Sequence, residues 1–132
     1  EEKRARALEL GAHAVFESGA RLPERVDAVM ETVGAATWAH SVKSLRPEGT
    51  IVISGATSGA MPPAELTRIF FLQLRIVGST MGSLDELKAL VRMCEATGVR
   101  PVVDSVLPLA EARAGFERME EGEAFGKIVF TV

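Results

Sequence analysis

Cysteine is nearly absent from this chain: among 132 residues it occurs once, as Cys94. A lone thiol excludes an intrachain disulfide and any zinc site built from a cysteine cluster within the chain. Histidine is scarce too. His13 and His40 stand apart, with no partners at metal-ligand spacing. No apolar run exceeds several residues, against the roughly 20 that a membrane-spanning helix needs. The N-terminus lacks the charged-then-apolar order of a signal peptide. Aromatics make up 5% and do not interleave with basic residues. The 15 Lys and Arg are scattered against 18 acidic residues, for a net charge of −3, so the chain carries no electrostatic footprint for nucleic acid. Internal repeats and low-complexity tracts are missing as well. What remains is ordinary globular composition, 47% hydrophobic and 25% charged, with length enough for one domain of modest core. A cytoplasmic setting is the expectation.

Helical and strand patterns alternate along the chain. Residues 1–10 read as a helix that Gly11 stops, and "HAVF" (His13–Phe16) as a short strand. "VDAVMETV" alternates over residues 26–33 and ends at Gly34. Ala35, Trp38, Ala39 and Val42 then recur at helical spacing on one face, until Pro47 and Gly49. Ile51, Val52 and Ile53 follow one another, as a strand covered on both faces requires. "PPAELTRIFFLQL" reads as a helix with prolines in its first turn and Leu66, Ile69, Phe70 and Gln73 on one face. "RIVGS" is the next strand. "SLDE" (Ser83–Glu86) is a capping box opening a helix that turns Leu84, Leu87, Leu90, Val91 and Cys94 inward and stops at Gly98. "PVVDSVL", a helix over "AEARAGFERMEEG" and the strand "KIVF" complete the chain. Strands separated by helices of about ten residues predict a parallel α/β architecture. "PVVDSVLP" is the candidate boundary.

The ordered segments "EEKRARALELGA", "VDAVMETVG", "LRPEGTIVISGATSG", "RIFFLQLRIVGSTMGS" and "RPVVDSVLPLAEARAGFERMEEGEAFGKIVFTV" resemble the C-terminal part of the medium-chain dehydrogenases/reductases. The zinc-type alcohol dehydrogenase and quinone oxidoreductase branches are the most similar. The likeness spans essentially the whole chain, and it rests on the order and spacing of five segments, each weakly specific alone. It implies an incomplete Rossmann-type parallel sheet over 1–100 and a return segment of the catalytic domain over 101–132. The departures matter equally. No G-x-G-x-x-G turn occurs, and the chain opens inside a helical pattern without a starting strand or an initiator Met. The resemblance therefore implies a fragment that begins just after the second Rossmann strand, inactive alone, with "GKIVFTV" parted from its partner strands. Any zinc ligands would lie outside this chain.

The same resemblance implies NADP as cofactor, NAD being the other possibility, and hydride transfer to or from an alcohol, carbonyl, quinone or enone. The proposed cofactor contacts are Lys3, Val33, Gly34, Gly55, Ala56, Thr57, Ser79, Thr80, Met81 and Lys127, with no catalytic residue in the chain. Lys3 has two readings: a cation for the 2′-phosphate, or a solvated charge beside Glu1 and Glu2. Val33 and Gly34 end a strand, where open parallel sheets bind ligands, or make a plain strand-to-helix turn. In "SGATSG" the small residues Gly55, Ala56 and Thr57 leave room for a flat ring; a flexible loop is the other reading. Ser79, Thr80 and Met81 would flank the nicotinamide. Lys127 either approaches the cofactor or guards a strand edge. Cys94, Asp104 and Ser105 are assigned to structure. A homo-oligomer formed through exposed strand edges is expected. The alternative to an enzyme is a non-catalytic dinucleotide-sensing or interaction module; a phospho-acceptor domain fails because Asp27 precedes its strand's apolar core.

Overall fold

Helix α1 (Glu2–Glu9) ends as its glycine predicts. Gly11 takes φ +102°, its N–H reaches the Leu8 carbonyl at 3.0 Å, and the Ala12 N–H reaches Ala7 at 3.1 Å. This pair of bonds is the Schellman closure, which satisfies carbonyls the helix end would leave open. In the computed structural model, which describes residues 1–132, the chain forms two units, Glu1–Met81 and Gly82–Val132.

The first unit holds β1 (Val26–Glu31), α2 (Trp38–Ser44), β2 (Leu45–Ile53), α3 (Leu66–Phe71) and β3 (Arg75–Gly78). Its strands form one parallel sheet in the order β1-β2-β3, so the expected α/β class with parallel strands is what the chain adopts. Trp38 and Val42 of α2 close over Leu45 and Ile51 of β2 and Leu74; Val42, Leu45 and Ile51 are fully buried. Each such side chain contributes about 1.5–3 kcal/mol of transfer free energy. The register also matters for function. Glu31 pairs with Ile53, and Ile53 with Gly78, so the three strands finish side by side.

The second unit holds α4 (Leu84–Thr97), β4 (Val103–Pro108), a 3₁₀ turn (Leu109–Glu111), α5 (Ala112–Glu120) and β5 (Lys127–Thr131). The capping box forms as read: Ser83 Oγ accepts the Glu86 N–H, and Glu86 accepts the Ser83 N–H at 2.6 Å. Gly98 closes the helix at φ +74°. β4 and β5 pair in parallel. Asp104 is the extra residue of a bulge in β4; its carboxylate accepts the Phe125 N–H at 2.9 Å and meets Arg118 at 3.1 Å, a structural role as assigned. Gly115 lets α5 approach the Phe130 ring, since a Cβ there would lie 2.6 Å from Phe130 Cζ.

Six local expectations are corrected. "HAVF" forms no strand, because no ladder partner stands beside it. The expected long proline-started helix shrinks to α3, with Glu65 before it at φ +50° and Pro62 and Pro63 outside it. Of its expected face only Ile69 packs on the core, while Leu66 and Phe70 are exposed. On α2, Ala39 is exposed and Ser41 is buried in its stead, where its hydroxyl meets Glu31. The apolar stripe of α4 is not turned inward; Leu84, Leu87, Leu90 and Val91 are all exposed. β5 is not parted from every partner, since β4 supplies one.

Candidate functional site

Three loops leave the aligned strand ends of the first unit: 32–37 after β1, 54–65 after β2 and 79–81 after β3. Crevices at the carboxyl ends of parallel strands are where such sheets bind ligands. The ladder continues past the strand ends. The Ser54 N–H reaches Glu31 O at 3.0 Å, and the Ser79 N–H reaches Ile53 O at 2.8 Å.

The residue that organises the first loop is Glu31. Strand alternation puts it on the same face as half-buried Val29, toward α2, where it is 3% exposed. Its Oε1 accepts the N–H groups of Val33 at 2.9 Å and Gly34 at 3.0 Å and the Thr37 hydroxyl at 2.7 Å. Its Oε2 accepts the Ser41 hydroxyl at 2.5 Å. Burial alone would raise this carboxyl. The bonds from Ser41, Gly34, Thr37 and Val33 overcome that and hold it at about 2. Ser41 is thus buried because it completes the shell of a buried anion.

The first and second loops are locked together. Val33 O accepts both the N–H and the hydroxyl of Ser58, each at 2.7 Å, and the Ser58 hydroxyl accepts the Ala36 N–H at 2.9 Å. Gly59 O accepts the Ala35 N–H at 2.9 Å. Gly34 sits at φ +91°, and a Cβ on it would lie 2.4 Å from Gly59 O and 3.0 Å from the Ala56 Cα. The close approach that Gly34 permits is that of the second loop. Gly55 does the same against Thr32, whose carbonyl oxygen would lie 2.8 Å from a Cβ. After β3 the chain is open: nothing lies within 4 Å of a Cβ built on Gly78, and Ser79, Thr80 and Met81 are exposed.

Of the residues read from the sequence, the structure brings Val33, Gly34, Gly55 and Ala56 into one packed group. It sets Thr57 on the same exposed second loop and Ser79, Thr80 and Met81 on the neighbouring strand end. Lys3 lies on the exposed first turn of α1, outside that group, and Lys127 opens β5 in the other unit. Glu31, Thr37, Ser41 and Ser58 are not among the residues expected as contacts, although Glu31 and Ser58 lie in the stretches "ETVG" and "SGATSG" that the sequence marks at strand ends. Thr37 and Ser41 are four apart, so a helix presents them on one face, and Glu31 stands just before. That acid-plus-hydroxyl spacing is the signal that points to them.

No three His, Cys, Asp or Glu side chains converge anywhere in the chain. His40 Nε2 instead contacts the Ala20 carbonyl oxygen at 2.8 Å. The residues present do not fit a zinc ion.

Comparison with known proteins is consistent along the chain. A family model described as zinc-binding dehydrogenase matches residues 10–130. The D-arabinose 1-dehydrogenase (NADP(+)) of Saccharolobus solfataricus is 28% identical over 95% of this chain and 38% of its own length. The NAD-dependent alcohol dehydrogenase of Sulfolobus acidocaldarius is 25% identical over 81% and 31%. A crystal structure of an NAD-dependent alcohol dehydrogenase superposes with a TM-score of 0.85 at 34% identity, covering 99% of this chain and 41% of the other. The chain thus spans about a third of the length of the curated relatives it matches.

Proposed function

The chain belongs to the zinc-binding dehydrogenase family of medium-chain oxidoreductases, and from that premise we propose that its first unit is the nicotinamide-side part of an NAD(P)-dependent oxidoreductase. The observation that carries this reading is the row of three parallel strand ends, Glu31, Ile53 and Gly78, each followed by a loop of small or hydroxyl-bearing residues. Gly34 packs against Ala56 and Gly59, and Gly55 against Thr32, to make a tight wall, and Thr57, Ser79, Thr80 and Met81, which follow the same row of strand ends, are exposed. A flat ring fits that arrangement, with hydroxyls and backbone at hand for a carboxamide. The nicotinamide, when bound, supplies or accepts the hydride. This chain's own residues orient the ring and limit water at one face.

Residues 1–100 are proposed as the dinucleotide-binding part and 101–132 as the return segment of the catalytic part. The substrate is proposed as an alcohol, carbonyl, quinone or enone, in a cytoplasmic setting. NADP is favoured over NAD on the strength of Lys3, whose cation suits a 2′-phosphate. The open edges of β1 and β3 support self-association, since unpaired strand edges seek partners. The residues present include no glycine-rich turn for the pyrophosphate. Turnover by this chain alone is therefore not expected, and its affinity for NADPH should be millimolar, on the order of −4 kcal/mol.

Backbone amide NMR with NADPH and NADH tests this. The expected result is that the amides of Thr57, Ser79 and Thr80 shift on addition of NADPH, more weakly with NADH, and that Lys3→Gln erases the difference. Shifts confined to residues away from the three strand ends would overturn the reading.

A further inference from the structure

We infer that Glu31 is the positioning residue of this site: its buried carboxylate holds the first and second strand-end loops in one arrangement. The inference rests on the function proposed above and extends it to a residue that would not itself touch the nucleotide.

Glu31 takes up donors from two places at once. Val33 and Gly34 lie in the loop after β1, and Thr37 and Ser41 belong to the start and middle of α2. One carboxylate thereby fixes the strand end, the turn and the helix together. The hold passes to the second loop through the other side of the same peptides. Val33 O is held by the Ser58 N–H and hydroxyl, Ala35 N–H by Gly59 O, and the space a Cβ would fill on Gly34 is occupied by Gly59 O. Displacing Val33–Gly34 therefore displaces Ser58–Gly59.

The arrangement also sets what a ligand meets there. The N–H groups of Val33 and Gly34 are bound to Glu31, that of Ala35 to Gly59 and that of Ala36 to Ser58. Gly34 O is taken by the N–H groups of Thr37 and Trp38. An internal carboxylate occupies the position an incoming anion would need. This wall therefore offers an uncharged surface for a ribose or nicotinamide face, and the phosphates of the nucleotide must be held elsewhere. A carboxylate that were merely filling the core would not need to govern a loop it never touches.

The test measures amide hydrogen exchange and NADPH affinity on the full chain and three variants. Glu31→Ala is expected to lower the protection of Val33, Gly34, Ala35 and Ser58 together, by about tenfold or more, and to weaken NADPH by about tenfold. Glu31→Gln is expected to restore only part of both, since its amide oxygen accepts the N–H groups and its NH₂ can donate to Ser41 but the charge is gone. Leu45→Val, a core truncation at the far end of β2, should lower stability without changing the affinity or that pattern. Loss of protection confined to Val33 and Gly34, with Ala35 and Ser58 unchanged, would overturn the inference. So would equal weakening of NADPH by Leu45→Val. Should Glu31→Ala fail to fold, Thr37→Val takes its place: a smaller coupled loss supports the hold on both loops, and none refutes it. A native chain without NADPH affinity would sink the proposed function, and the exchange pattern would then decide the positioning role by itself.

Discussion

The two units use the same alternation of strand and helix and reach different degrees of burial. In the first, Trp38, Val42, Leu45, Ile51 and Leu74 form a core between α2 and the sheet. In the second, the only buried residue is Gly115, and the longest helix of the chain, α4, leaves its leucines exposed. Yet α4 has the better-made ends: a complete capping box at Ser83 and a glycine stop at Gly98. α2 has no side-chain cap bond and only seven residues, and it is held by packing and by Glu31. The contrast shows two ways a helix is specified. One is closed by contacts within four residues of its termini. The other depends on groups brought from a neighbouring strand.

The largest effect that would break this contrast is in the cores. Ile51→Ala should destabilise the first unit by about 2–5 kcal/mol, because it removes a fully buried side chain that the sheet cannot close over. Leu90→Ala on α4 should stay within about 0.5 kcal/mol, since half of that side chain is already in solvent. Trp38 is the chain's single tryptophan and lies in the first core, so its fluorescence in denaturant reports that unit alone. Equal effects of the two substitutions would mean that the α4 stripe is covered after all.

A somewhat smaller effect is expected from acid. Glu31 is held at about 2 against an ordinary value of 4.5, so its contribution is fully present above about pH 4.5 and is lost as the pH falls toward 2. A difference of that size corresponds to roughly 3 kcal/mol as an upper bound. Trp38 fluorescence should show the first unit weakening through that window, and Glu31→Gln should flatten the dependence. A native chain and a Glu31→Gln variant with the same acid profile would remove the carboxylate from the account of α2.

The smallest effect sharpens the other side. Ser83→Ala removes the hydroxyl of the capping box and should weaken the start of α4 by about 1 kcal/mol. Amide exchange at Glu86 and Leu87 should rise, with the Trp38 signal unchanged. A response at Trp38 would show that α4 and the first core are coupled.

Much of the fold was legible because its signals are local. The stops at Gly11 and Gly98 and the box at Ser83–Glu86 depend on bonds within one turn of chain, and all three form as read. The strand "TIVI" was legible from its consecutive β-branched residues. "HAVF" has strand composition too, but a ladder needs a second chain segment beside it. The short length of α3 was hidden because its apolar spacing continues past the residues that pack. The site was half legible. Small residues after strands pointed to Gly34, Gly55 and Ala56. Ser41 was passed over because a serine among apolar neighbours carries no sign of the carboxylate it meets.

By itself, then, the order of residues determined which segments become strands or helices at their strongest signals, where the capped helices end, and that small residues follow the strands of the first unit. Those features are decided by backbone sterics and by side chains reaching a few residues away. Only the tertiary structure decided which helix face is buried, that Gly34 yields its space to Gly59, that β5 takes β4 as partner, and that Glu31 is a buried anion with four donors. Each of these needs groups that are distant in sequence to meet where water is excluded. A carboxylate's place there is set by which donors arrive with it.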